Sequence, residues 1–176
     1  MKGICFIAAL FLGTIVSAQE TAAGPVIKDF GKVYKVAPDF EVDKEMEYKV
    51  VFDIVDSPDS KTELNPGMNT PARFLNMNGQ SGVSVEKMSL ALVVHGGAFK
   101  DILNDTAYAE RYQTANPNTE LIQALLSSGV EIILCGQTAG HRKVSKEDMI
   151  PGVKLALSAM NALVQLQNQN YQLIKF

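Results

Sequence analysis

From Tyr48 onward, short apolar runs recur along the chain, separated by polar stretches punctuated with proline, glycine and asparagine. Tyr48-Lys49-Val50-Val51-Phe52-Asp53-Ile54-Val55 is rich in β-branched and aromatic residues and reads as a strand. Met88 to Val94 is apolar almost throughout, the pattern of a strand buried on both faces of a parallel sheet. Val130 to Leu134 predicts a third strand, Val153 to Leu157 a fourth and Tyr171 to Lys175 a fifth. Periodicity alone also allows Ala156 to Leu166 to be one longer helix, because short apolar runs do not decide between the two.

Helical signals fill the gaps. Asn69-Thr70-Pro71 offers a capping side chain followed by proline at the first helical position, and predicts a helix that stops at Gly79. Asn76 and Gln80, on or after this helix, read as surface residues. Asp105 to Tyr112 predicts a short helix. Asn116-Pro117 opens another, with Asn116 as cap, a stripe of Leu121, Ile122, Leu125 and Leu126, and Gly129 as its stop. Ser145 to Asp148 resembles a capping box and predicts a short helix ended by Pro151-Gly152. Ser158 caps a last helix to Asn168, with Met160, Leu163, Val164 and Gln167 along one face. Five strands alternating with helices predict a three-layer α/β/α domain of flavodoxin-like architecture, its five-stranded parallel sheet joined by right-handed crossovers.

The start of the chain has a different pattern. Lys2, an apolar run from Ile4 to Val16, and Val16-Ser17-Ala18 before Gln19 predict a cleaved signal peptide over residues 1–18. The run is short for a membrane span, so no stable membrane anchor is expected. Export to the periplasm or the medium follows. Residues 19–47 are mixed and punctuated by Gly24-Pro25 and Pro38-Asp39; they read as an N-terminal arm ahead of a domain over 48–176. Cleavage takes Lys2 and Cys5 with it, so the formal charge of −3 becomes −4 and one cysteine remains. That mild acidity, with no basic stripe, excludes nucleic acid as a partner. Neither GxSxG, GxGxxG nor GxxxxGK[ST] occurs, so serine hydrolases and nucleotide enzymes of those types have no support, and no cofactor is assigned.

The candidate chemistry lies in Gly129 to Arg142, GVEIILCGQTAGHR. A strand delivers Cys135 to its carboxyl end, the edge where open α/β sheets place ligands and reactive groups. A lone thiol beside cationic donors is a candidate nucleophile or sulfur carrier; the competing reading is a small buried apolar residue. Gly136 and Gln137 follow directly, with Gly136 expected to allow close approach of a ligand, and Arg142 can bind an anion. His141 and Arg142 are expected in a loop, His141 as a solvated side chain. His95, ahead of Gly96 and Gly97 at the end of the second strand, is a candidate base to the thiol or a residue that hydrogen-bonds the loop. Asp53 can face the same cleft or bond a loop amide. Cys135, His95 and His141 have suitable ligand types but no recognised metal-binding spacing, so no metal is assigned.

YKVVFDI at 48–54, RFLNMNGQSGV at 73–83, VVHGGAF at 93–99, the long block from Leu103 to Thr138, PGVKLALSAMNALVQLQ at 151–167 and YQLI at 171–174 together resemble the DsrE/DsrF-like sulfur-relay superfamily, in its exported branch. The resemblance implies assembly into homotrimers or hexamers. It also implies sulfur carried as a persulfide on Cys135, with Arg142 matching a downstream arginine of those relatives. Expected partners are a sulfur donor or acceptor protein, or a small sulfur anion. The alternative is an oligomeric ligand-binding or scaffold module with a structural cysteine and no catalysis.

Overall fold

The computed structural model describes residues 20–175; the signal-peptide segment, 1–18, lies outside them. The arm forms a small antiparallel pair, β1 (Thr21–Ala22) with β2 (Val33–Tyr34). The domain then runs β3 (Tyr48–Ile54), α1 (Pro66–Gln80), β4 (Met88–Val94), a 3-10 turn at Gly96–Ile102, α2 (Asp105–Tyr112), α3 (Thr119–Ser127), β5 (Glu131–Cys135), α4 (Gly136–Arg142), β6 (Lys154–Ala156), α5 (Ala159–Asn168) and β7 (Gln172–Ile174). The five domain strands form one parallel sheet in the order β6-β5-β4-β3-β7.

That order distributes the helices unequally. From β3 to β6 each strand lies beside its predecessor, and α1, α2 and α3 pack on one face. Phe52, Leu90, Leu92, Ile132 and Leu134 point into this layer against Met68, Leu75, Leu121 and Leu125. The last crossover returns over the opposite face to the far edge, and α5 alone covers Val51, Ala91, Val93 and Cys135 there. Each large side chain so buried contributes about 1.5–3 kcal/mol. The inner face of α5 is Ala159, Ala162 and Leu166, whose small residues let the helix lie close to the sheet; Met160 and Val164, expected with Leu163 on one packing face, are exposed.

Several local expectations are corrected. The cap and proline that start α1 are Asn65 and Pro66: the Asn65 side chain accepts from Gly67 N at 2.8 Å, and Pro71 sits inside the helix. Asn116 is not a helix cap but a buried brace, donating to the carbonyls of Asp101 and Leu103 and accepting from Asn118 N. Ser145 N donates to the Asp148 carboxylate, one half of a capping box, but no helix follows; Met149 instead bridges to Leu103. Asn76 is fully buried. Its Oδ1 accepts from Val26 N and Ile27 N, and its Nδ2 donates to the carbonyls of Ile27, Phe30 and Gly31, tying the arm to α1. Among the described residues no helix is long and apolar enough to cross a membrane.

Candidate functional site

Parallel strands end on one edge, and the register decides what meets there. Val93 pairs with Asp53 and with Ile133, and Val94 with Leu134. One step further, the same register sets His95 beside Cys135, on the face that α5 covers. His95 stays in the ladder, its N–H donating to Ile54 O at 3.0 Å. Its Nε2 lies 2.8 Å from Asp53 Oδ1, and the other Asp53 oxygen receives Lys175 Nζ at 2.9 Å. A carboxylate can only accept, so Nε2 is the donor to Asp53, and Nδ1 is the ring nitrogen left to act toward the thiol. Asp53 is pulled two ways. Burial pushes its pKa up, but Lys175 and His95 outweigh burial and hold it below the ordinary carboxylate value.

Cys135 is the last residue of β5 and the residue before α4. It is 5% exposed and unpaired. Burial alone would raise its pKa. The Thr138 amide, the Ala159 amide, the Thr138 hydroxyl and the Gln137 amide, in that order, outweigh it and bring the pKa below the ordinary thiol value. These donors come from the first turns of two helices, α4 and α5, where free N–H groups converge. Ser158 fixes the second of them, its Oγ accepting from Asn161 N at 3.1 Å. Thr138 is held in turn by Gly96, whose N–H reaches its Oγ1 at 3.3 Å.

Two glycines make this geometry sterically possible. Gly96 has φ +58, and a Cβ there would meet Val55 O at 3.0 Å. A Cβ on Gly136 would lie 2.5 Å from Ala156 O, so this glycine serves the close approach of β6 rather than of a ligand. Gln137 bonds the same segment, its Nε2 donating to Leu157 O at 3.1 Å. Gly97, exposed in the 3-10 turn beside Gly96, has no neighbour within 3.4 Å of a notional Cβ.

His141 and Arg142 lie in the last turn of α4, not in a loop. The Arg142 guanidinium sits 5.0 Å over the Phe99 ring, and Arg111 grips the Arg142 and Lys143 carbonyls at 2.9 and 2.8 Å. Arg142 is therefore placed at the far end of α4, about 10 Å of helix from the thiol, and the groups that favour the thiolate are backbone amides and a hydroxyl. His141 is exposed. Among the described residues no group of three or more His, Cys, Asp or Glu side chains is placed to hold a metal ion.

Thr138, Ala159 and Lys175 are the site residues that sequence reasoning missed. The signal for Thr138 was present, since a hydroxyl three positions past a strand-end cysteine faces it once a helix starts between them. Behind this edge the loops are braced by a buried polar cluster on Asp101, whose carboxylate accepts from Lys100 Nζ at 2.8 Å, Asn65 Nδ2 at 2.6 Å, Ser57 Oγ at 3.0 Å and Asn118 Nδ2 at 3.2 Å. No side-chain polar atom buried among the described residues lacks a partner.

Comparison with known proteins supports the same architecture. No curated protein matches the chain. A protein of unknown function from Methanobacterium thermoautotrophicum, MTH1491, superposes with a TM-score of 0.56 at 17% identity, over 73% of this chain and 99% of its own. The ychN protein of E. coli superposes with a TM-score of 0.54 at 17% identity, over the same shares. These likenesses show the fold. The DsrE/DsrF-like family profile matches residues 49–176, and the chain belongs to that family.

Proposed function

We propose that this is a sulfur-handling protein in which Cys135 accepts a sulfane sulfur as a persulfide, or cycles as a redox thiol, acting as a carrier. Family membership supports a thiol-related role in general. The observation that carries the reading for this chain is the position of Cys135, at the end of β5, directly before α4 and packed against Ala159 at the start of α5, where the amides of those first turns and the Thr138 hydroxyl lower its pKa. A structural cysteine needs no stabilised thiolate; a nucleophile does. In the step proposed, the Cys135 thiolate attacks the outer sulfur of a donor RSSH. The new S–S bond forms Cys–S–SH, and the donor's S–S bond breaks to release RS⁻. An acceptor thiolate later takes the terminal sulfur and the Cys135 thiolate leaves, its charge again held by the same donors. His95, oriented by Asp53, takes the proton when the thiol rather than the thiolate is present.

The exposed apolar residues Met160 and Val164 on α5, and Leu173, whose register partner Val51 packs under α5, lie on the α5 side of the sheet. One helix over five strands leaves that layer thin, and a second copy of the chain is the occupant proposed for it, in a trimer or hexamer. Export to the periplasm or the medium is proposed on the pattern of residues 1–18.

The burial of Cys135 favours the scaffold reading, and alkylation separates the two. Folded protein treated with iodoacetamide at neutral pH is expected to be modified at Cys135 at least as fast as a free thiol. Modification only on unfolding would mean a structural cysteine.

A further inference from the structure

A crevice opens where β3 and β7 end side by side. β3 passes its chain to the layer that holds α1, whereas β7 receives its chain from α5 on the opposite face. Neighbouring strands whose connections lie on opposite sides leave a gap at their carboxyl ends, where α/β sheets bind ligands. Here the gap is a cavity of about 470 Å³, within the range of small-molecule sites. It is separate from the thiol: Cys135 does not line it.

The lining specifies a ligand class. Phe52, Ile54, Pro58 and Ile174 give it apolar walls. Three charged groups on one side are mutually engaged: Lys175 is bonded to Asp53 and also feels the charge of Asp56. Arg73, on the other side, lines the cavity and has no hydrogen bond or ion pair among the described residues. Thr70 stands one turn before it, its hydroxyl donating to Pro66 O at 3.2 Å, and the first turn of α1 contains no acidic residue. A guanidinium at the rim of a pocket with apolar walls matches a planar monoanion on a compact apolar body, which it binds with two parallel hydrogen bonds.

We propose that this crevice binds a small organic carboxylate, anchored by Arg73 with its apolar body against Phe52, Ile54 and Ile174. One wall is Asp53, whose other oxygen orients His95, so occupancy is felt at the thiol edge through a single side chain. The site does not depend on the sulfur chemistry of Cys135.

Ligand-observed NMR on the folded protein tests this with benzoate as probe and benzylamine as its cationic counterpart. Benzoate is expected to bind with a dissociation constant of about a millimolar, the range for a ligand of this size, and benzylamine to give no signal. Arg73→Ala is expected to weaken benzoate at least about tenfold, and Arg73→Glu to abolish it; Arg73 is exposed, so both variants retain the fold. Cys135→Ser is expected to bind benzoate as the parent does. Absence of benzoate binding, equal binding of benzylamine, or binding unchanged in Arg73→Ala would overturn the proposal. Loss of benzoate binding in Cys135→Ser would also overturn it, by assigning the ligand to the thiol, while leaving the sulfur-carrier reading intact.

Discussion

Replacing Thr138 with valine removes one identifiable donor from the Cys135 sulfur and the weak acceptor of the Gly96 N–H. The two side chains are nearly isosteric, and the Thr138 amide, also a donor to the sulfur, is retained. The hydroxyl accepts from Gly96 N at 3.3 Å, which leaves its own proton directed elsewhere, and the sulfur is the partner that gains from it. A hydrogen bond to a charged group is worth about 1.5–3 kcal/mol. Sulfur is a weaker acceptor than oxygen, so about 1.4 kcal/mol is a reasonable loss, and that equals about one pH unit in the thiolate midpoint. The rate of iodoacetamide alkylation against pH reads this midpoint directly. Thr138→Val is expected to move it up by about one unit, and Thr138→Ser, which keeps the hydroxyl, to leave it near the parent value. The sign also fixes the stability profile. A folded-state pKa below that of the unfolded thiol stabilises the fold above the unfolded value, and the benefit is lost as pH falls through the folded value. The melting temperature of the parent should therefore gain on that of Cys135→Ser as pH rises through this window. A midpoint unchanged or lowered in Thr138→Val would refute the idea that side-chain donation holds the thiolate.

Three further outcomes are expected. Asp53→Asn should leave the fold intact but slow sulfur uptake from a persulfide donor by about tenfold or more near neutral pH, because His95 loses the carboxylate that fixes its tautomer; stopped-flow uptake rates check this. Asn76→Leu should cost about 3–5 kcal/mol in urea unfolding, because it strands two backbone N–H groups and three carbonyls of the buried arm, and should expose residues 20–34 to limited proteolysis. Met160→Glu, on the exposed face of α5, should yield a smaller species in sedimentation velocity with an unchanged circular dichroism spectrum.

The central strand was the most legible part of the sequence because its apolar run is long and unbroken: Met88 to Val94 has both faces buried, and its bounds are those the pattern predicts. Helix starts were less legible, since cap chemistry recurs. Asn65-Pro66, Asn69-Thr70-Pro71 and Asn116-Pro117 all have the signature, and only tertiary contacts select the first. Asn76 read as surface because one polar residue in a helix gives no hint that a distant arm will bring it five backbone partners. The position of Cys135 at a strand end was visible from the break at Gly136. The donors around it were only partly visible, because Ala159 comes from a helix whose place depends on the strand order β6-β5-β4-β3-β7, and no single sequence encodes that order in its local pattern.

The Cys135 sulfur, held by the starts of two helices, is proposed to take up a second sulfur atom. The most direct measurement is the intact mass of the folded protein after brief exposure to glutathione persulfide and removal of excess reagent, followed by peptide mapping. A gain of one sulfur atom on Cys135 is expected, reversed by a thiol reductant and absent in Cys135→Ser. A parent protein whose mass does not change, or a gain that persists in Cys135→Ser, would contradict it.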